Sequence, residues 1–154
     1  MCAIVDVNIV PELFSSNSLS AGRKFLEWLD SGTGVLVVGG ILLEELNNTQ
    51  AKMWLETAIR SERAFRIDSN KVNARTSVLE MEHSYKSDDP HILALAQLSG
   101  ARLLYTNDRD LQADFKNKAL IDTPRGKVYS TLQDKEFKES HKNLIENKNL
   151  CRSK

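Results

Sequence analysis

The residues of this chain that could do chemistry are acids placed where apolar runs begin or end. Asp6 interrupts the opening run MCAIVDVNIV, and Glu44 and Glu45 follow the glycine pair in VVGGILLEEL. Asp88 and Asp89 precede PHILALAQLSG, while Asp108 and Asp110 follow ARLLYTN. Each has an ordinary structural explanation taken alone. Asp6 would cap a helix beginning near Asn8, Glu44 and Glu45 would be first-turn acids favoured by a helix dipole, and Asp89 would cap the helix that Pro90 opens. Gathered at one end of a parallel sheet they would repel one another, and a divalent cation is the simplest means of keeping them all charged. Oxygen-only donors point to Mg²⁺ or Mn²⁺, since zinc calls for His or Cys at ligand spacing and His83, His91 and His141 show none. Such a centre suits phosphodiester hydrolysis, one ion activating a water and a second, where present, steadying the leaving oxygen. No GxSxG elbow, no Cys beside a His and no Walker-type phosphate loop offers a competing chemistry.

The elements that must position these acids follow from periodicity and turn signals. Cys2 to Val7 reads as a first, central strand, followed by a short helix over Pro11 to Phe14 and a polar loop over Ser15 to Ser20. Ala21 to Asp30 is amphipathic, with Phe25, Leu26 and Leu29 inward and Gly32 as its stop. Val35 to Val38 is a second strand, broken by Gly39-Gly40. From Ile41 the period is helical, with Leu42 and Leu46 on one face and Glu45 beside them, and a second helix runs to about Glu62. Ala64 to Ile67 is a brief strand or connector, and Asn70 to about Tyr85 a helix of mixed polarity. Asp89-Pro90 starts a helix that Gly100 stops, returning into a buried strand over Ala101 to Tyr105. Asp114 to Lys118 is a helix end, Leu120-Ile121 is placed at the sheet edge, and Lys127 to Ser130 is a last strand after the turn Thr123-Pro124-Arg125-Gly126. Alternating strands and helices predict a single α/β domain, a central parallel β-sheet flanked by α-helices in three α/β/α layers, over 1–133. The stretch 134–154 is polar and is expected to be a lightly packed helix or a flexible tail.

Bulk properties exclude several classes. With 154 residues, 41% hydrophobic and 27% charged, the chain has the composition of a globular domain able to bury a core. Lys plus Arg equals Asp plus Glu at 21 each, which argues against a passive electrostatic binder of nucleic acid. Cys2 and Cys151 stand near opposite ends without metal spacing, so free thiols, no structural disulfide and a cytoplasmic location are expected. No apolar run approaches the roughly 20 residues of a membrane span, and the opening stretch is too short and too acidic for a signal peptide.

Taken together, IVDVN, GGILLEEL, DDPHILALA and LLYTNDRDL resemble the four acidic motifs of PIN-domain nucleases, in order and over nearly the whole chain up to about Tyr129. The resemblance implies a PIN fold that gathers acids around Mg²⁺ or Mn²⁺ and a metal-dependent endoribonuclease cutting single-stranded RNA. It places the catalytic acids on Asp6, Glu45, Asp89 and Asp108 and the metal ligands on Asp6, Asp89, Asp108 and Asp110. It suggests Asn8 and Thr106 as supporting residues that orient water or a carboxylate; the residues themselves add His91, close behind Asp89 and expected to be exposed unless it acts on the phosphate, and Arg125, a basic turn residue placed to meet phosphate or to be solvated. Small stand-alone members imply the toxin of a toxin-antitoxin pair, hence an antitoxin or other protein partner, and homodimers are frequent. Two other classes stay open: a PIN-like RNA- or protein-binding module without catalysis, which predicts missing acids, and a structure-specific DNA nuclease, which needs arch elements this chain has little sequence to build.

Overall fold

In the computed structural model, residues 2–14, 20–31, 34–131 and 151 are described. Five strands form one sheet: β1 (Cys2–Val5), β2 (Val35–Val38), β3 (Ala64–Arg66), β4 (Leu103–Tyr105) and β5 (Lys127–Tyr129), in the order β3-β2-β1-β4-β5 with every pairing parallel. The central strands are apolar throughout because both faces are covered, as parallel sheets require. A 3-10 turn (Val7–Ile9) and α1 (Val10–Phe14) leave β1, and α2 (Ser20–Asp30) leads to β2. The helices α3 (Gly40–Asn47) and α4 (Lys52–Arg60) join β2 to β3, α5 (Ser69–Glu82) and α6 (Pro90–Ser99) join β3 to β4, and α7 (Arg109–Lys116) joins β4 to β5. The connection from β1 to β2 and the one from β3 to β4 cross the sheet in opposite directions, so right-handed crossovers put them on opposite faces. Three layers result.

Two local features matter for the site. The turn into α3 needs glycine, because Gly40 has φ +56° and a Cβ there would lie 2.9 Å from Val72 Cγ1. The same close approach lets Gly40 N donate to Ser69 Oγ at 3.2 Å, fixing α3 against the start of α5. Helix α6 is buried from Pro90 to Ala96, wedged among the sheet, α3 and α5, which is why PHILALAQLS shows no polar stripe. On the α2 side, Phe25, Tyr105 and Tyr129 form an aromatic cluster with ring centroids 4.7 to 6.1 Å apart.

The structure corrects three expectations. Cys2 and Cys151 are joined in a disulfide with Cα atoms 5.7 Å apart, not left as free thiols. Cys151 lies beside the Gly100 turn that feeds β4, the neighbour of β1, so residues remote in sequence meet in space. Leu120 and Ile121 are buried in the turn between α7 and β5 and pair with no strand, because β5 occupies that edge of β4. Asp89 stands at the N-cap of α6 but its side chain makes no capping hydrogen bond. Of the expected loop over Ser15 to Ser20, Ser20 is instead the first residue of α2, and the rest of that loop, the stop at Gly32 and the tail, Cys151 apart, lie outside the described residues. Among the described residues, no helix is long and apolar enough to cross a membrane.

Candidate functional site

Strand order turns at β1 and β4. From their carboxyl ends the chain departs toward β2 on one side and toward β5 on the other, opening the crevice where doubly wound sheets bind ligands. Asp6 is the first residue past β1 and Thr106 the first past β4, so adjacent strands deliver both to this crevice. Asp6 N continues the sheet ladder by donating to Tyr105 O at 3.0 Å, and Thr106 N donates to Tyr129 O at 3.1 Å. The Asp6 side chain is buried, and Thr106 Oγ1 donates to its Oδ2 at 2.7 Å. The same hydroxyl accepts from Asp108 N at 3.1 Å, and Gln112 Nε2 holds Thr106 O at 3.0 Å. Thr106 therefore links the two acids through one oxygen.

The other acids arrive at the same edge. Asp108 caps α7, its Oδ1 accepting from Asp110 N at 2.9 Å and Leu111 N at 3.2 Å. Asp110 is exposed on the first turn of α7, where the helix dipole favours an acid. Asp89 opens α6, which runs back from the carboxyl edge to the start of β4, and Glu45 rides on α3 just beyond β2. Asn8 is exposed in the 3-10 turn directly after Asp6. Arg125 is not brought to this cluster. It precedes β5, at the opposite edge of a parallel sheet, and its Nε donates to Lys116 O at 2.7 Å.

The acids act on one another through their charges. Burial pushes the Asp6 carboxyl above its ordinary value and the Asp108 charge adds to this, while the Thr106 hydroxyl and the amides of Asn8 and Val7 pull it back. Burial also raises Glu45, with the charge of Asp6 behind it. Asp89 is pushed up to about 6, first by burial and then by Asp6, Asp108, Glu45 and Asp88. Among the described residues no lysine or arginine pairs with Asp6, Glu45, Asp89 or Asp108. As they stand, no three His, Cys, Asp or Glu side chains among the described residues form a ready cage for an ion.

His91 is 6% exposed, contrary to the expectation of a solvated histidine, because the stretch of α6 from Pro90 to Ala96 is covered on every side. Burial lowers its pKa to about 4, so the ring is neutral at pH 7. Its Nε2 lies 3.0 Å from Glu45 Oε1 but off the hydrogen-bond direction, and the nitrogen has no partner. A neutral donor-acceptor ring is thus held against one acid of the cluster.

Sequence reasoning overlooked Asp114. It is 2% exposed, and its Oδ1 and Oδ2 accept from Lys86 N and Ser87 N, both at 2.8 Å, while Ser87 Oγ accepts from Asp89 N at 3.3 Å. The signal was its inward place on α7 between Leu111 and Phe115, where an acid needs a reason. Asp114→Ala strands both amides of the loop that carries Asp89. We expect it to lower stability by roughly 1–3 kcal/mol in a denaturant titration with the slope m unchanged. A loss below about 0.5 kcal/mol would show that water replaces the carboxylate at little cost.

No protein-family model matches this chain, and neither does any curated protein. Among solved structures it is similar to VapBC2 from Rickettsia felis bound to a DNA fragment from their promoter, at 18% identity and TM-score 0.49, covering 84% of this chain and 98% of that one. It is also similar to a toxin-antitoxin complex from Klebsiella pneumoniae, at 24% identity and TM-score 0.43, covering 82% of this chain and 95% of the other. The five-stranded parallel sheet with helices on both faces is the three-layer α/β/α arrangement expected from the alternation of strands and helices.

Proposed function

We propose that this chain is a divalent-metal-dependent endoribonuclease that hydrolyses phosphodiester bonds of single-stranded RNA. The observation that carries the reading is the shared field of Asp6, Glu45, Asp89 and Asp108. They come from four separate places in the chain, the carboxyls of Asp6, Glu45 and Asp89 are raised by burial and by charges of the same set, and no lysine or arginine among the described residues pairs with any of the four. A merely structural set of buried carboxylates would be neutralised by arginine or lysine.

The donor set fits Mg²⁺ or Mn²⁺, being all oxygen, strongly negative and partly buried. Asp6, Asp89, Asp108 and Asp110 are the ligands in this reading, and Glu45 completes the catalytic set. When bound, the ion supplies a water of lowered pKa and charge to offset that building on the phosphate. The chain's own part is orientation. Thr106 fixes the Asp6 carboxylate and the Asp108 backbone, the Asp114-anchored loop presents Asp89, and α6 holds His91 against Glu45. Asn8, exposed beside Asp6, is placed to meet substrate or a metal-bound water. A role as the toxin of a toxin-antitoxin pair belongs to the same reading.

The test is cleavage of labelled single-stranded RNA by purified protein. Mg²⁺ or Mn²⁺ should support cutting and a chelator should stop it. Cutting that persists after chelation would overturn the metal mechanism, and flap or duplex DNA cut faster than RNA would move the assignment to a DNA nuclease. RNA binding without hydrolysis in either metal would make the chain a binding module. The toxin role predicts that induced expression arrests growth and that Asp6→Asn relieves the arrest.

A further inference from the structure

Glu12 lies on α1, away from every acidic motif, and its carboxylate accepts from three side chains. Its Oε1 accepts from Asn107 Nδ2 at 2.7 Å, and its Oε2 accepts from Tyr105 Oη at 2.7 Å and from Thr131 Oγ1 at 2.6 Å. Asn107 Oδ1 in turn accepts from Ser130 Oγ at 2.8 Å. One carboxylate thereby ties the chain leaving β1 to the ends of β4 and β5. Asn107 stands between Thr106, which holds Asp6, and Asp108, whose amide returns to the Thr106 hydroxyl. Consecutive side chains alternate: Thr106 and Asp108 serve the crevice while Asn107 is held on Glu12.

We infer that Glu12 is a positioning residue for the hydrolytic site, acting through Asn107 to set the rotation of the β4–α7 loop and so the aim of Thr106 and Asp108. The inference rests on the nuclease reading. Its physical basis is that a loop of three residues has few ways to turn. Clamping the middle side chain from one side dictates where its neighbours point on the other. The clamp is charge-assisted and reaches both arms of the carboxylate, so it is stiffer than a neutral hydrogen bond. A loop so held spends little on reorganisation when the acids take up their working geometry, and a misplacement of about 1 Å in such a site can cost two orders of magnitude in rate.

The experiment compares Glu12→Ala with Glu12→Gln. Glutamine keeps a carbonyl for Asn107 Nδ2, and its NH₂ can donate to the hydroxyls of Tyr105 and Thr131, whose hydrogens rotate. Alanine leaves all three donors without their acceptor. Under single-turnover conditions with RNA and Mn²⁺, Glu12→Ala should lose at least about tenfold in the cleavage rate with apparent RNA affinity within about twofold, and Glu12→Gln should recover most of the rate. In parallel, hydrogen exchange should quicken at the amides of Asp108, Asp110 and Leu111 in Glu12→Ala and return toward the parent in Glu12→Gln. A folded Glu12→Ala protein with parent rate or parent exchange would overturn the inference. So would an equal loss in both variants, or a loss of RNA affinity with the rate intact. If Glu12→Ala does not fold, Asn107→Ala takes its place and should show the same rate loss and the same faster exchange. Failure of the parent to cut any RNA would sink the nuclease reading, while the exchange arm still decides whether Glu12 holds the loop.

Discussion

Asp6→Asn should lower RNA hydrolysis at least a hundredfold in Mg²⁺ or Mn²⁺ while leaving the fold intact. The substitution is nearly isosteric, and the asparagine carbonyl can still accept from Thr106 Oγ1, which now holds Asp6 Oδ2 at 2.7 Å. What it removes is the buried negative charge at the mouth of β1. That charge raises Glu45 and Asp89 and has no lysine or arginine beside it among the described residues. A bound divalent ion contributes several kcal/mol to stabilising the reacting phosphate, and each ~1.4 kcal/mol is a tenfold change in rate, so loss of a principal ligand projects to two or three orders of magnitude. Since the charge is costly to bury, the metal-free variant should melt no lower than the parent. Single-turnover cleavage and a thermal melt check both halves. A variant that cuts within about fivefold of the parent at saturating metal would remove Asp6 from the centre of the mechanism. Asp89→Asn should follow the same pattern.

A second large effect is expected in thermal stability, where cation and proton compete for the same carboxylates. At pH 7.5, Mn²⁺ at a hundred times its Kd should stabilise the fold by about 2.7 kcal/mol, which for a domain of this size is a rise in Tm of roughly 5–10 °C. Asp89 explains the sign of the pH dependence. Its carboxyl is pushed up to about 6 in the metal-free fold against an ordinary value of 3.8, so the folded state holds its proton more tightly than the unfolded chain. A raised carboxyl weakens the fold once it must ionise. The cost is full above about pH 6 and fades as pH falls toward 3.8. Asp89→Asn should therefore raise the metal-free Tm at pH 7.5, with the gain shrinking progressively from pH 6 to pH 4. Comparing variant with parent matters because His91, lowered to about 4 by burial, pulls the total the other way: the unfolded chain gains its proton first as the solution is acidified. In Asp89→Asn the Mn²⁺-induced rise should be much reduced. An equal rise in both proteins would place the ion elsewhere, and a gain from Asp89→Asn that grows on acidification would contradict the raised carboxyl.

Glu12 and Asp114 show how the scaffold behind the acids works. Each is a carboxylate outside the cluster that accepts from several donors, and each fixes one loop. Glu12 clamps the loop of Thr106 and Asp108, and Asp114 clamps the loop that ends at Asp89. Their partners could not be found from position in the chain, because hydrogen bonds between residues distant in sequence leave no periodic trace; at most the inward place of Asp114 on its helix shows that it needs one. Glu12 reads as an ordinary first-turn acid of a short helix, and Asp114 as an inward acid whose partners the local stretch does not name.

The amino-acid sequence by itself determined the alternation of strands and helices, since period, glycine stops and the Asp-Pro start are local properties set within a few residues. It also determined which acids stand at element boundaries, because an apolar run and the carboxylate that ends it are neighbours in the chain. Only the tertiary structure decided which of them share a field, that Arg125 sits at the far edge, that His91 is buried, and that Cys2 meets Cys151. Those outcomes depend on strand order and on which helix covers which face. They are fixed when the sheet assembles, through contacts whose cost and gain no local stretch contains.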